Sequence, residues 1–261
     1  MPNTGIWITG PTRTPLPHRL TAVVPVLDAP EYAAFGVNFE TINPEAVDYP
    51  HGVCATRAER TTSKLFSGID YIEDSAVVTL YAGVECGFMN YEQHAPLAQR
   101  RLELGESHGL EIALRTKVLV TGTAVTIAAT TLIGRFAAGE AAALADYQAE
   151  LLVHVSPIVA TYLAAADIIK LDGQGVLRTI SGSRVVIGTG YTATTAPAGG
   201  VASAAGQEWV FFTGELLIHR GDLEVHMGSE PETNNHRAIA EGIYTLTVDG
   251  PIFGALLTLE A

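Results

Sequence analysis

The longest periodic stretch of the chain runs from 94 to 118, HAPLAQRRLELGESHGLEIALRTKV. Ala98, Leu102, Gly105, Gly109, Ile112 and Ala113 fall on one stripe, with Arg100, Glu103, Glu106 and Lys117 largely off it. That spacing predicts a single amphipathic helix. Pro96 suits its first turn. At ~1.5 Å per residue it would exceed roughly 30 Å, enough to serve as a backbone for the whole subunit. Each glycine inside it costs about 1 kcal/mol relative to alanine. Their place on the stripe predicts close approach by another backbone.

Elsewhere the period is two. Residues 35–42, FGVNFETI, set Phe35, Val37, Phe39 and Thr41 against Asn38 and Glu40, which reads as a strand. Residues 76–84 are β-rich and read as a second. Between them lie turn signals (Asn43-Pro44, Pro50-His51-Gly52, Ser67-Gly68) and the basic residues Arg57, Arg60 and Lys64. Two strands flanking so long a tip predict an extended hairpin, and a loop of that length needs a job such as reaching over a neighbour.

The remainder mixes both periods. Residues 138–153, with Glu140, Asp146 and Glu150, read as a helix; 153–155 as a short strand; 157–166 as a helix opened by Pro157. Residues 176–191 alternate around Arg178 and Arg184 and predict a hairpin turning at Ser181-Gly182. Residues 192–206, TATTAPAGGVASAAG, predict an exposed low-complexity loop. Strands are expected at 209–213, 216–219, 223–226, 237–248 and 252–260, the last two joined at Asp249-Gly250-Pro251. The pattern is α+β without internal repeats. Residues 1–34 show no sustained period. Prolines hold them extended, yet Ile6, Trp7, Ile8, Leu20, Val23, Val24, Val26 and Leu27 are too apolar for a solvated tail. An arm laid on its own body or on a neighbouring subunit meets both facts.

Composition sharpens this picture. Hydrophobic residues make up 48% of the 261 and charged residues 16%. So few charges leave surface to be hidden in partners or in a membrane. The membrane is excluded: 127–132 is followed by Gly134 and Arg135, and 158–166 contains Thr161 and ends at Asp167. No secretory signal is visible, so synthesis and assembly in the cytoplasm are expected. The net charge of −13 argues against sequence-specific nucleic-acid binding. No acid precedes Asp28, whereas Arg13 and Arg19 do. Such an arm suits contact with a neighbour or with packaged nucleic acid. Two cysteines, Cys54 and Cys86, are too few for a disulfide framework or a cysteine-rich zinc site. They are buried thiols, or one bridge formed outside the reducing cell.

Candidate chemistry is sparse. None of the eight histidines falls in a tight ligand spacing, and His219 and His226 read as structural or surface side chains. His154 and Ser156 lack the third group and oxyanion hole of a triad. Gly188-Thr189-Gly190 lacks the third glycine of a nucleotide fingerprint. Glu230-Pro231-Glu232 reads as a solvated turn. No catalytic, cofactor-binding or metal-ligating residue is assigned. An oligomeric α+β hydrolase using His154 or Cys86 stands as the alternative of another class.

The order of elements carries a resemblance. AVVTLYAGVEC at 76–86 resembles the strand leading into the spine region of capsid proteins from phages of actinobacteria. RRLELGE at 100–106 resembles the start of their long helix. Leu177-Arg178-Thr179, Gly188-Thr189-Gly190-Tyr191 and Trp209–Gly214 resemble their axial-domain core, and Asn234-Asn235 to Tyr244 their last return strand. The chain thus resembles the Hong Kong 97-type capsid fold of tailed-phage major capsid proteins. The resemblance implies an N-terminal arm (1–34), an extended loop hairpin with the strand that follows it (35–86), a spine helix in a peripheral domain (87–121), an axial domain (122–227) and peripheral return strands (228–261). It implies hexamers and pentamers closing an icosahedral shell around double-stranded DNA, with loops lying on adjacent subunits. Portal, decoration and scaffold proteins are the further partners, the scaffold being separate or absent. Arg13, Arg19, Arg57, Arg60 and Lys64 are the expected inter-subunit contacts. An encapsulin-like compartment shell shares the fold; a tail or decoration protein would lack the long helix.

Overall fold

A computed structural model describes residues 14–29, 39–41, 70–72, 76–86, 94–192, 196–230 and 235–259. In chain order the elements are α1 (Leu20–Val23), β1 (Val26–Asp28), β2 (Phe39–Thr41), β3 (Asp70–Ile72), β4 (Ala76–Cys86), α2 (His94–Lys117), β5 (Thr123–Ala124), α3 (Leu132–Tyr147), β6 (Leu152–Val155), α4 (Pro157–Ala165), β7 (Ile169–Leu171), β8 (Leu177–Thr179), β9 (Arg184–Ile187), β10 (Gln207–Thr213), β11 (Leu216–Arg220), β12 (Glu224–Glu230), β13 (Asn235–Val248) and β14 (Phe253–Thr258).

A seven-stranded mixed sheet, ordered β5-β14-β10-β6-β9-β8-β7, is covered on both faces. Along β6, Leu152 enters one core and Val153 and Val155 the other. Along β10, Trp209 and Phe211 point one way and Val210 and Phe212 the other. Burial on both faces erases the polar alternation that marks a half-exposed strand. Helices α3 and α4 cover one face through Phe136, Ala143, Val159 and Leu163. The other face meets α1, α2 and the second sheet.

That second sheet is built on β13. β11 and β12 lie end to end along one side of it, β4 runs along the other, and β1 adds parallel to β11. One face packs on α2: Ala98 and Leu102 meet Ala238 and Ala240. The opposite face leaves Thr79, Tyr81 and Ile243 exposed. Among the described residues no helix is long and apolar enough to cross a membrane.

The structure corrects several expectations. The strand at 35–42, described over 39–41, pairs antiparallel with β3, Phe39 opposite Ile72, whereas 76–86 belongs to the sheet of β13. The hairpin therefore closes at 70–72. Helix α3 begins six residues earlier than 138, because the Thr131 side chain accepts the Gly134 N–H at 3.1 Å and caps it there. It ends at Gln148, whose φ of 53° is left-handed. The expected loop at 192–206 is partly anchored, since Pro197 is buried and Val201 accepts a hydrogen bond from the Trp209 indole. Gly105 meets no backbone, and Gly109 faces the Leu80 side chain.

Sheet membership also departs from a boundary at 227/228. β11 and β12 lie with β13, and β14 returns to the seven-stranded sheet beside β10. The chain changes sheets twice at one place. The Asp249 N–H donates to Glu215 O at 2.8 Å. The Tyr147 hydroxyl accepts from the Glu215 N–H at 3.2 Å and donates to Asp249 Oδ2 at 3.0 Å. A Cβ at Gly214 would lie 2.1 Å from Asp249 O, so only glycine passes.

Candidate functional site

Where the arm, the long helix and the seven-stranded sheet meet, α2 presents a fully buried acid, Glu111. An isolated buried carboxylate is costly, and this one accepts four hydrogen bonds. Arg19 grips it side-on with one edge of its guanidinium, Nε to Oε1 and Nη2 to Oε2, each at 2.7 Å. Ser107, one turn earlier, donates to Oε1 at 3.2 Å, and the Gly190 N–H donates to Oε2 at 3.1 Å. The bonds to Glu111 hold the Arg19 guanidinium above its ordinary pKa, against the lowering effect of burial.

The local sequence makes room for the acid. A Cβ on Gly188 would stand 2.3 Å from the Glu111 carboxyl carbon, and one on Gly190 would stand 2.4 Å from its Cβ. This explains the glycine pair that lacks a nucleotide context. Arg115, one turn after Glu111, donates to Gly190 O at 2.8 Å and Thr192 O at 2.6 Å. His18 O accepts from the Ile187 N–H at 2.8 Å. Leu20 and Val24 sink fully into the core beneath. Of the two options for the arm, residues 18–24 therefore lie on their own body.

Arg19, expected at a subunit boundary, pairs within the chain through one edge of its guanidinium, with a buried acid 92 residues away, and keeps 20% of its side chain exposed. Arg13, Cys54, Arg57, Arg60 and Lys64 lie outside the described residues. Cys86 ends β4 opposite His236, and its side chain is not described. Glu111 was missed by sequence reasoning. Its signal was faint: an arginine in an arm without acids, and two glycines spaced to admit a side chain.

The candidate nucleophile pair does other work. His154 is fully buried, its Nδ1 3.1 Å from the Tyr191 hydroxyl and its Nε2 3.0 Å from the Thr213 hydroxyl. Burial lowers its pKa to about 3, so the ring is neutral. Ser156 caps α4 and donates to Glu208. The two groups are not brought together as nucleophile and base. Buried Glu140 accepts from Thr179, Ser181 and Ser183, which ties the β8–β9 hairpin to α3. On the open sheet face His226 lies 3.1 Å from Glu241 and 3.3 Å from Glu224. The three offer ligand atoms within 4.8 Å of one another. All lie on an exposed surface, where the imidazole bridges two glutamates that face each other across β12 and β13.

Several large apolar side chains are exposed on separate elements. Tyr81 on β4 is 72% exposed, Leu171 on β7 61%, and Ile180 at the β8–β9 turn 80%. Leu16, Ile133, Ile158 and Val201 are also exposed. Single exposed side chains are ordinary; so many large ones on a chain this poor in charge is not.

The sequence matches no family model and no curated protein. The fold has solved counterparts. The chain is similar to the capsid of Ralstonia phage GP4 at 11% identity and TM-score 0.57, over 100% of this chain and 96% of that one. It is similar to the capsid of the native GTA particle at 15% identity and TM-score 0.56, over 100% and 95%. It is similar to a chain of Microbacterium phage Oxtober96 at 11% identity and TM-score 0.51, over 98% and 95%. The chain has the Hong Kong 97-type capsid fold, as its α+β element order leads one to expect.

Proposed function

We propose that this chain is a structural, non-catalytic major capsid protein that self-assembles into the icosahedral shell of a tailed phage. The observation that carries the reading is the likeness to capsid chains end to end, over all of this chain and nearly all of theirs. Large apolar side chains left exposed on several elements support it, since burial between subunits is their natural cover. Hexamers and pentamers around double-stranded DNA are the expected assembly, formed in the host cytoplasm and found in the virion. Scaffold, portal and decoration proteins are its expected companions. An acidic wall, net −13, would hold DNA without gripping it.

The loop carrying Arg57, Arg60 and Lys64 would lie on an adjacent, acidic subunit, with Arg13 of the arm as a further contact. Negative-stain microscopy of the purified protein tests the main reading: closed particles of uniform size are expected. A monodisperse single chain at high concentration would overturn it. Particles filled with a protein cargo instead of DNA would reassign the chain to a compartment shell. Replacing Arg57, Arg60 and Lys64 together by Glu should stop closed particles forming while leaving the subunit folded.

A further inference from the structure

Strand β4 is eleven residues long and pairs along one edge with β13. Among the described residues no strand takes its other edge. An open edge of this length is a template for another chain. Here it is also one wall of a groove. The edge of β4 from Thr79 to Gly83, with Leu80 and Ala82 turned toward α2, and Arg101, Leu102, Gly105 and Gly109 of α2 line an open space of about 400 Å³. A Cβ at Gly105 would meet nothing within 4 Å, so the missing side chain gives the groove its depth. Arg101 donates to Gly83 O and closes the open edge at that end. The span of Thr79 to Gly83 is roughly 16 Å, room for about five extended residues.

Resting on the shell reading above, we propose that this groove receives residues 5–9 of a second copy, Gly-Ile-Trp-Ile-Thr, as an added edge strand. The segment is β-prone and alternating, and it holds no proline, which would remove a ladder donor. It carries no charged side chain before Arg13, so burial costs it none of the desolvation that the charged loop 57–64 would suffer. The alternation places Ile6 and Ile8 on one side and Trp7 and Thr9 on the other, and one of these pairs lies over the glycine floor. The docking point of the arm favours a second copy over its own. Arg19 and Thr21 dock on Glu111 and Ser107. Those positions lie about 200° round the helix from Gly109 and Gly105, on the far side of α2 from the groove. Thirteen residues beyond the first described one span at most ~45 Å, enough to reach an adjacent subunit.

The test is a photo-cross-link. Trp7→p-benzoylphenylalanine is made in isotopically heavy and light chains, which are mixed before assembly and irradiated. Mass spectrometry should find residue 7 joined to a peptide holding 79–83 or 101–109, with heavy–light products among them. Products confined to single chains, or joining residue 7 to any other segment, overturn the proposal. Gly105→Leu should fold at least as well as the parent, because leucine is the stronger helix former. By filling the groove it should cut the cross-link yield about tenfold, equivalent to ~1.4 kcal/mol; an unchanged yield would also overturn the proposal. Microscopy of the same samples separates the two readings. Closed particles with the arm linked elsewhere retain the shell and reject the groove. A groove cross-link without closed particles does the reverse.

Discussion

The two sheets solve the burial problem in opposite ways. The central strands of the seven-stranded sheet are sealed, although Leu171 on its edge strand β7 is exposed: α3 and α4 cover one face, and α2 with the second sheet covers the other. Among the described residues the β13 sheet is covered on one face only, by α2, and keeps Tyr81 and Ile243 exposed, with no strand on the outer edge of β4. Among the described residues the central strands of the first are covered within the chain, and the second keeps one face uncovered. On the shell reading proposed above, the first would be the rigid body that holds its shape and the second the sheet that gains by contact.

Core truncation should separate them most. Phe212 is fully buried, with its ring edge-on to Phe136 at 5.4 Å and pressed against Gly139. Phe212→Ala should cost the isolated subunit about 3–5 kcal/mol, read by urea denaturation. Tyr81→Ser on the open face should change it by less than about 0.5 kcal/mol. Similar losses at the two sites would break the contrast.

The joint between the sheets comes next. Arg19→Met leaves the Glu111 carboxylate buried with only Ser107 and Gly190 as donors. Breaking a buried pair from one side costs about 3–5 kcal/mol. Because Arg19 keeps 20% of its side-chain exposure, about 2–4 kcal/mol is expected. Adding Glu111→Gln removes the stranded charge and should recover part of that loss. A double variant worse than the single one would deny that the charge is what matters.

Local signals in the sequence were legible and distant ones were not. The 3.6 period located α2 at 94–117, Pro157 located α4, and Ser181-Gly182 located the β8–β9 turn, where Gly182 has φ of 97°. Each rests on residues within one turn of each other. The sorting of strands between sheets was not legible, because β10 and β11 read alike and the switch at Gly214 is set by Asp249 and Tyr147, far along the chain. The Glu111 site depends on Arg19 and Gly190, 92 and 79 residues away. In the second half of the α2 stripe Ala113 is buried as expected, but Leu110 and Leu114 are buried too and Ile112 is exposed. Gly105 and Gly109 were expected to admit another backbone, where the structure has an open space and the Leu80 side chain.

A pH titration sharpens the contrast further, because His154 lies in the sealed sheet. Its pKa, lowered by burial to about 3, compares with an ordinary value near 6.5. As pH falls from about 6 to 4 the unfolded chain binds this proton and the folded chain does not. Stability is therefore lost on acidification, by up to about 1.4 kcal/mol per pH unit from this group. His154→Gln should remove that part of the slope, measured as the difference between parent and variant unfolding free energies across the range. Parallel pH profiles would mean that the ring takes up its proton in the folded state after all.

The smallest expected effect bears on the β13 sheet. Gly105 and Gly109 are one turn apart on α2, and replacing either by alanine relieves the same backbone-entropy cost, about 1 kcal/mol. Their surroundings differ. A methyl at Gly105 points into open space, whereas one at Gly109 would stand 3.1 Å from both Leu80 methyl carbons. Gly105→Ala should stabilise the isolated subunit by nearly the full amount. Gly109→Ala should gain less or nothing, because Leu80, held between α2 and the sheet, must yield a few tenths of an ångström. Thermal melts of the two variants side by side read the difference as a few degrees. If both gain equally, Leu80 moves freely and this part of the β13 sheet is looser than its packing suggests. If Gly105→Ala loses stability as an isolated chain, the space beside it is already occupied by the protein's own residues, and the sheet is less open than the described residues make it.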